Sequence, residues 1–202
     1  MLREEKRMWP EATMTWWAVA LMFLVAMAAN AQPSLVNLFN DSYTVAYDVS
    51  LNCPREVRWQ ICSSQLKPNV KRSNIKFRVD TRLPRPRASA SDFTRTGYQR
   101  GHMCPAADRV ANLRLMRETF LMSNVCPQAP RLNMGEWKST EVYARQLSRS
   151  FGACSVAVAP IFLPEDTNYI GKHKLAVPHA FFKVVWVAGK PATIRMWFLL
   201  NQ

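Results

Sequence analysis

Acidic residues are scarce in this chain of 202 residues. Asp and Glu number 14 against 27 Lys and Arg, so the formal net charge is +13 and the isoelectric point is about 10.0. A surplus of this size favours a polyanionic partner, which is either nucleic acid or an anionic membrane surface. The alternative interpretation is that the basic surface serves only to keep the protein soluble.

The sequence also lacks internal repeats, low-complexity tracts and any pair of Cys or His residues with the spacing of zinc ligands. These absences argue against a repeat protein, a disordered protein and a structural zinc site. Hydrophobic residues make up 49% of the chain and charged residues 20%. This composition is typical of a globular protein, and the length suits one domain with a substantial core.

After residue 31, no apolar run is long enough to span a bilayer. Before that point, basic residues precede the apolar run MTWWAVALMFLVAMAANA, which ends in the small-x-small pattern Ala29-Asn30-Ala31. We therefore predict a signal peptide at 1–31, a mature domain at 32–202 and export to the periplasm or the medium. No stable membrane association is expected after cleavage. An uncleaved membrane anchor is the alternative.

Segments rich in β-branched and aromatic residues dominate the rest of the sequence. Predicted strands cover 43–50, 56–63, 118–125, 154–162, 179–188 and 192–200, and an Asn-Cys-Pro turn joins the first two as a hairpin. The segment from Asn133 to Phe151 has helical character, with Trp137, Val142 and Leu147 able to face a core. Because strands predominate over one or two helices, the predicted fold class is α+β.

Residues 64–96 are predicted to form a long loop rich in cations. Its basic residues are Lys67, Lys71, Arg72, Lys76, Arg78, Arg82, Arg85, Arg87 and Arg95. Such a cluster suits a phosphate backbone. A solvated surface without a ligand is the alternative interpretation.

His102 is one of only three histidines, and it lies among cations in the turn-like stretch GYQRGHMCPAADR. An imidazole with an ordinary pKa of about 6.5 can act as a base near neutral pH. Arg100 lies two residues before His102, so in an extended segment both side chains point to the same side and Arg100 can reach a phosphate. Asn133 and Glu141 offer hard oxygen ligands that Mg²⁺ accepts, and Arg145 lies one helical turn after Glu141. Together these residue types suit phosphodiester hydrolysis.

Several short motifs follow one another in a fixed order. They are Arg100-Gly-His-Met103, Pro105-Ala-Ala-Asp108, Ser123-Asn124, Pro127-Gln128, Leu132-Asn133-Met-Gly-Glu-Trp137 and Glu141. In this order they resemble the DNA/RNA non-specific endonucleases, the sugar-non-specific nucleases with a ββα-metal active site. The resemblance extends from about Asp41 to the C-terminus. It implies a mixed, mainly antiparallel central sheet with an inserted ββα-metal finger motif and flanking helices.

The resemblance also implies an activity, which is hydrolysis of DNA and RNA with Mg²⁺, Mn²⁺ or another divalent cation. It implies that His102 is the general base, that Asn133 is the direct metal ligand and that Glu141 holds the water around the metal. The other implied site residues are Arg72, Arg100 and Arg145, which would contact the phosphate, and Asn124, which would support the site.

Gln99 departs from the family pattern, which usually has Asp or Glu before Arg-Gly-His. Loss of that negative charge can alter the pKa of His102 or the position of the Arg100 side chain. The alternative function is therefore a catalytically weakened relative that binds nucleic acid through its basic surface. The sequence leaves open the preference between DNA and RNA and the oligomeric state.

The five cysteines are Cys53, Cys62, Cys104, Cys126 and Cys154. An oxidising compartment would permit disulfides, and the odd count leaves at least one thiol unpaired. Cys104 and Cys126 each precede a proline and border the implied site, so we predict a bridge between them. Other pairings remain open.

Overall fold

Six strands form the central antiparallel sheet of the computed structural model, which describes residues 34–72, 74–163, 165, 167–188 and 192–202. In spatial order they are β1 (Leu35–Phe39), β2 (Thr44–Asp48), β3 (Cys53–Cys62), β6 (Ala153–Ile161), β9 (Ala180–Val187) and β10 (Thr193–Leu200). Two small antiparallel pairs accompany the sheet, β4 (Gln99–His102) with β5 (Val125–Gln128) and β7 (Tyr169–Ile170) with β8 (Leu175–Ala176). The predicted signal peptide at 1–31 lies outside the described residues.

The described helices are α1 (Leu113–Glu118), α2 (Pro130–Met134) and α3 (Glu136–Phe151), and 3₁₀ turns cover Ser63–Leu66, Ala90–Phe93, Ala106–Arg109 and Met122–Asn124. Asn112 caps α1, because its side-chain oxygen accepts hydrogen bonds from the first free backbone amides. Pro130 begins α2, where its missing N–H has no partner to lose. Within the described part of the chain, no helix is both long enough and apolar enough to cross a membrane.

The core lies between one face of the sheet and α3. Along β3, Val57, Trp59 and Ile61 are buried while the residues between them are exposed, as expected for a strand with one covered face. Trp137 of α3 packs edge-on against Phe181 of β9, with 5.2 Å between the ring centroids. Burial of these large apolar groups is the main stabilising contribution to this layer.

The structure confirms the α+β class and the mainly antiparallel sheet. The predicted hairpin, the long helix and the three C-terminal strands are present, with ends that differ by a few residues. Trp137 and Leu147 of the helix are buried as predicted, whereas the prediction for Val142 is wrong, because its side chain lies on the solvent side of the helix and is 40% exposed. The predicted strand at 118–125 is wrong, because only Val125 belongs to a strand. Phe120 and Met122 are buried in an irregular segment, whose backbone bonds to Arg78 N and O at 2.9 and 2.8 Å. The apolar side chains of residues 118–125 therefore reflect burial of an irregular segment and not a strand.

The predicted Cys104–Cys126 bridge is absent, since all five cysteines are free thiols. Cys126 pairs with Gly101 in the register of β4 and β5, three residues before Cys104. Burial and the adjacent Cys53 thiol raise the pKa of Cys126 well above its usual range, so this thiol stays protonated.

Candidate active site

The strand pair β4–β5 and the helix α2 form a compact ββα unit. In the pair, His102 lies opposite Val125 and Gly101 opposite Cys126. The side chain of Gln128 crosses directly over Gly101, where a Cβ would lie only 2.1 Å from Gln128 Oε1. A glycine is therefore required before the histidine. After β5, one residue separates the strand from α2, so Asn133 is brought next to β4.

His102 is buried against two aromatic rings, Phe77 and Phe120, which also contact each other with 5.1 Å between their centroids. The centroids of Phe77 and Phe120 each lie 5.0 Å from the centroid of the imidazole. Nε2 of His102 is buried and has no hydrogen-bond partner among the described residues. Burial, and then the positive charge of Arg72, lower the pKa of His102 to about 3. The imidazole is therefore neutral at pH 7, with a lone pair available on one ring nitrogen.

Two arginines each lie over one of these aromatic rings. The Arg72 guanidinium lies 5.5 Å from the Phe120 centroid, and the Arg100 guanidinium lies 5.2 Å from that of Phe77. Both side chains are exposed. Arg100 also donates from Nη1 to the carbonyl oxygen of Ala90 at 3.2 Å. Cation–π contacts thus hold two positive charges on the rings that contact the buried imidazole.

Asn133 contacts the residue that departs from the family pattern. Its Nδ2 donates to Gln99 Oε1 at 2.7 Å, and Gln99 Nε2 in turn lies 3.7 Å from the sulfur of Met134. This hydrogen bond uses the donor end of the Asn133 amide. The side-chain oxygen, which is a hard neutral ligand, does not take part in it.

Glu141 and Arg145 lie on α3, and Arg145 lies beside both Glu141 and the buried carboxylate of Asp108. Arg145 Nη1 lies 3.0 Å from Asp108 Oδ1 and 3.8 Å from Glu141 Oε2. Trp59 Nε1 donates to the other oxygen of Asp108 at 2.9 Å. Burial raises the pKa of Glu141, although the charges of Lys183 and Arg145 act in the opposite direction. The guanidinium of Arg145 is only 14% exposed, so its main partners are these carboxylates.

Lys183 lies in the core on β9 behind this group. Its Nζ is 4.2 Å from the centroid of the Trp137 ring and has no hydrogen-bond partner among the described residues. Burial lowers its pKa to about 8, against the favourable charges of Glu141 and Asp108. Lys183 therefore carries a positive charge near Glu141 at neutral pH.

Asn124 is fully buried and bonds only to backbone atoms. Its side chain accepts from Cys104 N at 2.9 Å and donates to Cys104 O at 2.8 Å and Thr119 O at 2.9 Å. These bonds fix the chain immediately after His102. Asn124 therefore lies beside the site without facing it.

The residues that the sequence singled out fall into two groups in the structure. Arg72, Arg100 and His102 form one, and Glu141 and Arg145 form the other, with Asn133 beside β4. Within the described residues there is no cluster of three or more His, Cys, Asp or Glu side chains that could hold a metal ion.

Sequence reasoning missed the two phenylalanines, Asp108 and Lys183 as parts of this region. Phe77 and Phe120 are far apart in the sequence, and nothing local pairs them with His102. Lys183 did leave a signal, because it is the one charged residue in the apolar strand AFFKVVWV of β9. A lone charge in a buried strand indicates a buried partner.

Comparison with known proteins places this arrangement in a wider context. The sequence matches the model of the family described as DNA/RNA non-specific endonuclease over residues 24–202. It is 33% identical over 188 residues to human mitochondrial endonuclease G, covering 87% of this chain and 63% of that protein. It is 32% identical over 165 residues to the mitochondrial nuclease EXOG of Danio rerio, covering 77% and 48%. The chain therefore spans about half to two thirds of the length of these curated relatives.

A solved structure resembles the fold as well. The crystal structure of the EndoG/EndoGI complex, which concerns the mechanism of EndoG inhibition, has a TM-score of 0.77 and 28% sequence identity. The match covers 85% of this chain and 77% of that chain.

The relatives contradict the predicted export to the periplasm or the medium, because both are named as mitochondrial proteins. The export prediction was based on a basic start, an apolar run and the small-x-small pattern Ala29-Asn30-Ala31. Positive charge and apolar residues also occur in other targeting segments, so this pattern does not identify one compartment.

Proposed function

The chain belongs to the DNA/RNA non-specific endonuclease family, and from this premise we propose that it hydrolyses phosphodiester bonds of DNA and RNA with a divalent cation. The observation that carries the proposal is the buried Nε2 of His102, unpaired within the described residues, next to two aromatic rings that each carry an arginine. This arrangement offers a proton acceptor and positive charge at the same place, as phosphodiester cleavage requires. The mitochondrial names of the relatives make that organelle the compartment in which to test it.

His102 is proposed as the general base. Its neutral imidazole is oriented by Phe77 and Phe120, so a water molecule is the natural partner for Nε2. Its low pKa keeps the lone pair free at neutral pH. An anionic phosphate beside the ring would raise that pKa and so favour transfer of a proton from the attacking water.

The donor set fits a divalent cation. We propose that Asn133 Oδ1 is the direct ligand and that Glu141 holds water molecules around the cation. Gln99 supports this arrangement, because it occupies the donor end of the Asn133 amide. When bound, Mg²⁺ or Mn²⁺ would offset the charge on the phosphate and stabilise the leaving oxygen.

Arg72 and Arg100 are proposed to contact the phosphate directly, since both are exposed beside His102. The sequence predicts the same for Arg145, whose guanidinium is engaged by Asp108 and Glu141. We propose that Arg145 acts on the phosphate through its charge and by orienting Glu141. All these groups are proposed to act on the phosphate, and none of them is proposed to contact a base or a sugar. DNA and RNA would therefore both be substrates.

Asn124 is proposed to position His102 and to take no part in the chemistry. Two of its three hydrogen bonds fix the backbone of Cys104, two residues after the histidine. The domain boundary at residue 32 stays a prediction, and the oligomeric state can be measured on the same purified protein.

The test is cleavage of plasmid DNA and single-stranded RNA by the full chain, with and without EDTA. His102→Ala is expected to reduce the rate by about 10²–10⁴-fold, the range for loss of a general base. Asn133→Ala should sharply raise the concentration of divalent cation that is needed for half-maximal activity. His179→Ala and Asn37→Ala are matched controls, because both residues are exposed and lie outside the site.

Two outcomes would contradict the proposal in different ways. Wild-type protein that retards nucleic acid in a gel, yet cuts nothing with Mg²⁺ or Mn²⁺ present, would be the weakened binding protein. Should His102→Ala cut as fast as wild type, the base would be another group.

A further inference from the structure

A second group of polar side chains lies around a shallow pocket of about 550 Å³. Its lining residues are Val79, Arg85, Pro86, Arg87, Ser89 and His173. None of them belongs to the site around His102. Two of them, Arg85 and Arg87, come from the basic loop that the sequence marks as a candidate for phosphate contact.

His173 is held in place by a buried carboxylate. Its Nδ1 lies 2.9 Å from Asp92 Oδ2, and its backbone amide donates to Asp92 Oδ1 at 3.1 Å. The Asp92 side chain is 1% exposed and that of His173 is 28% exposed. Because Asp92 engages Nδ1, the nitrogen left for a ligand is Nε2.

The same carboxylate fixes the opposite side of the pocket. Ser89 donates to Asp92 Oδ2 from its backbone amide at 2.8 Å and from its hydroxyl at 2.9 Å. Although burial by itself raises the pKa of Asp92, these bonds and that of His173 lower it below the usual value. Asp92 is therefore a stable anion that positions two of the lining residues.

The β7–β8 turn packs closely on Asp92. Gly171 has a φ of +69°, and a Cβ there would lie 2.3 Å from the Cβ of Asp92. Only glycine allows both the backbone conformation and this close approach. The geometry of the pocket is consequently built into the backbone that carries His173.

The chemistry of the lining selects an anion. Arg87 donates from Nε to the carbonyl of Leu83, which fixes its stem and leaves its terminal nitrogens for other partners. Arg85 is exposed and carries a second positive charge. The donors of the two guanidinium groups match the oxygens of a phosphate group.

The pocket is connected to the candidate active site through one short 3₁₀ turn, Ala90–Phe93. The carbonyl of Ala90 accepts a hydrogen bond from Arg100, while Asp92 on the same turn holds His173. A nucleic-acid strand that contacts Arg100 can continue over this turn. We propose that the pocket binds a backbone phosphate of the substrate strand, away from the bond that is cut; this inference rests on the proposed nuclease function.

The first test is binding of a labelled single strand of about 16 nucleotides, measured by fluorescence anisotropy in EDTA at several salt concentrations. The double variant Arg85→Gln/Arg87→Gln should bind more weakly. Its slope of log affinity against log salt should fall by about 0.7, the value for one phosphate contact on single strands. His173→Asn tests the imidazole separately. Arg149→Gln, which removes an exposed charge at the end of α3, is the control and should leave the slope unchanged.

The second test separates a flanking phosphate from the cleaved one. A dinucleotide has a single phosphate, so Arg85→Gln should not change kcat/KM for it but should raise KM for the long strand several-fold. An unchanged salt slope in the double variant, or an equal loss on both substrates, would overturn the proposal. So would inorganic phosphate that binds the pocket while the long strand does not.

Failure of the proposed function would look different. Wild-type protein that binds the long strand but cuts nothing would contradict the nuclease activity. The salt slopes, which are measured without metal and without cleavage, would still decide whether the pocket holds a phosphate.

Discussion

Asn133 and Gln99 are joined by a hydrogen bond of 2.7 Å from the amide nitrogen of Asn133 to the side-chain oxygen of Gln99. Related nucleases resemble this chain in sequence but usually have an acidic residue at the position of Gln99. The neutral amide keeps the acceptor that orients Asn133. It removes a negative charge beside the proposed metal ligand, so its effect should appear in metal affinity before it appears in the chemical step.

Substitutions at Gln99 test this interpretation. Gln99→Glu supplies an ionised acceptor and should lower the Mg²⁺ concentration for half-maximal activity, because a carboxylate attracts the cation. Gln99→Leu removes the acceptor and should raise that concentration by about tenfold, the scale for loss of an outer partner of a metal ligand. Metal titrations of the cleavage rate provide the measurement. Gln146→Leu, on the exposed side of α3, is the control, and identical titrations for all variants would refute the idea.

The burial of His102 predicts how stability depends on pH. Its pKa is about 3 in the folded protein and about 6.5 in an unfolded chain. Below about pH 6.5 the unfolded state therefore binds a proton that the folded state does not, so the stability from this group is lost as the pH falls.

The expected loss is at most about 1.4 kcal/mol for each pH unit between these two pKa values. Urea unfolding at a series of pH values measures it. His102→Asn lacks the titrating ring, so its stability should fall less steeply over the same range. Equal slopes for the two proteins would show that His102 is protonated within the fold.

Much of the fold was predictable because strand and helix periods depend on local sequence. The buried and exposed alternation at Val57, Arg58 and Trp59 indicates one covered face of a sheet. The apolar segment around Phe120 has no such period. It folds as turns because Arg78 satisfies its backbone, and Arg78 lies far away in the sequence. No local pattern records that contact.

The candidate site shows the same division. The residue types of His102 and Asn133 stand in recognisable motifs, whereas the contacts that tune them come from other segments. Phe77 lies in the basic loop and Lys183 in a C-terminal strand, so only the folded chain brings them to the site. The absent Cys104–Cys126 bridge is a similar case, since two Cys-Pro pairs that look equivalent in sequence are three residues out of register.

Asn124 should be important for stability as well as for activity. Asn124→Ala leaves two backbone groups of Cys104 and the carbonyl of Thr119 without their buried partner. Each such group contributes about 1–3 kcal/mol, so the free energy of unfolding should fall by at least about 3 kcal/mol. Urea denaturation measures the change. Asn37→Ala on the exposed side of β1 should change it by less than about 0.5 kcal/mol, and a similarly small effect at Asn124 would contradict the assigned role.

Phe77 should control the pH dependence of the reaction through His102. In wild type, kcat/KM should stay level as the pH falls below about 6.5, because the free enzyme keeps its imidazole neutral. Phe77→Ala admits water to the ring and reduces the burial that lowers its pKa. The acid limb of kcat/KM should consequently move to higher pH. Profiles measured from about pH 4 to pH 8 would reveal this shift.

Phe77 also supports Arg100, so a second variant separates the two effects. Arg100→Gln removes a phosphate contact and should lower kcat/KM at every pH without moving the limb. Phe198→Ala removes the same ring from an exposed position on β10 and should change neither property. If the limb of Phe77→Ala coincides with that of wild type, desolvation by this ring does not set the protonation of His102.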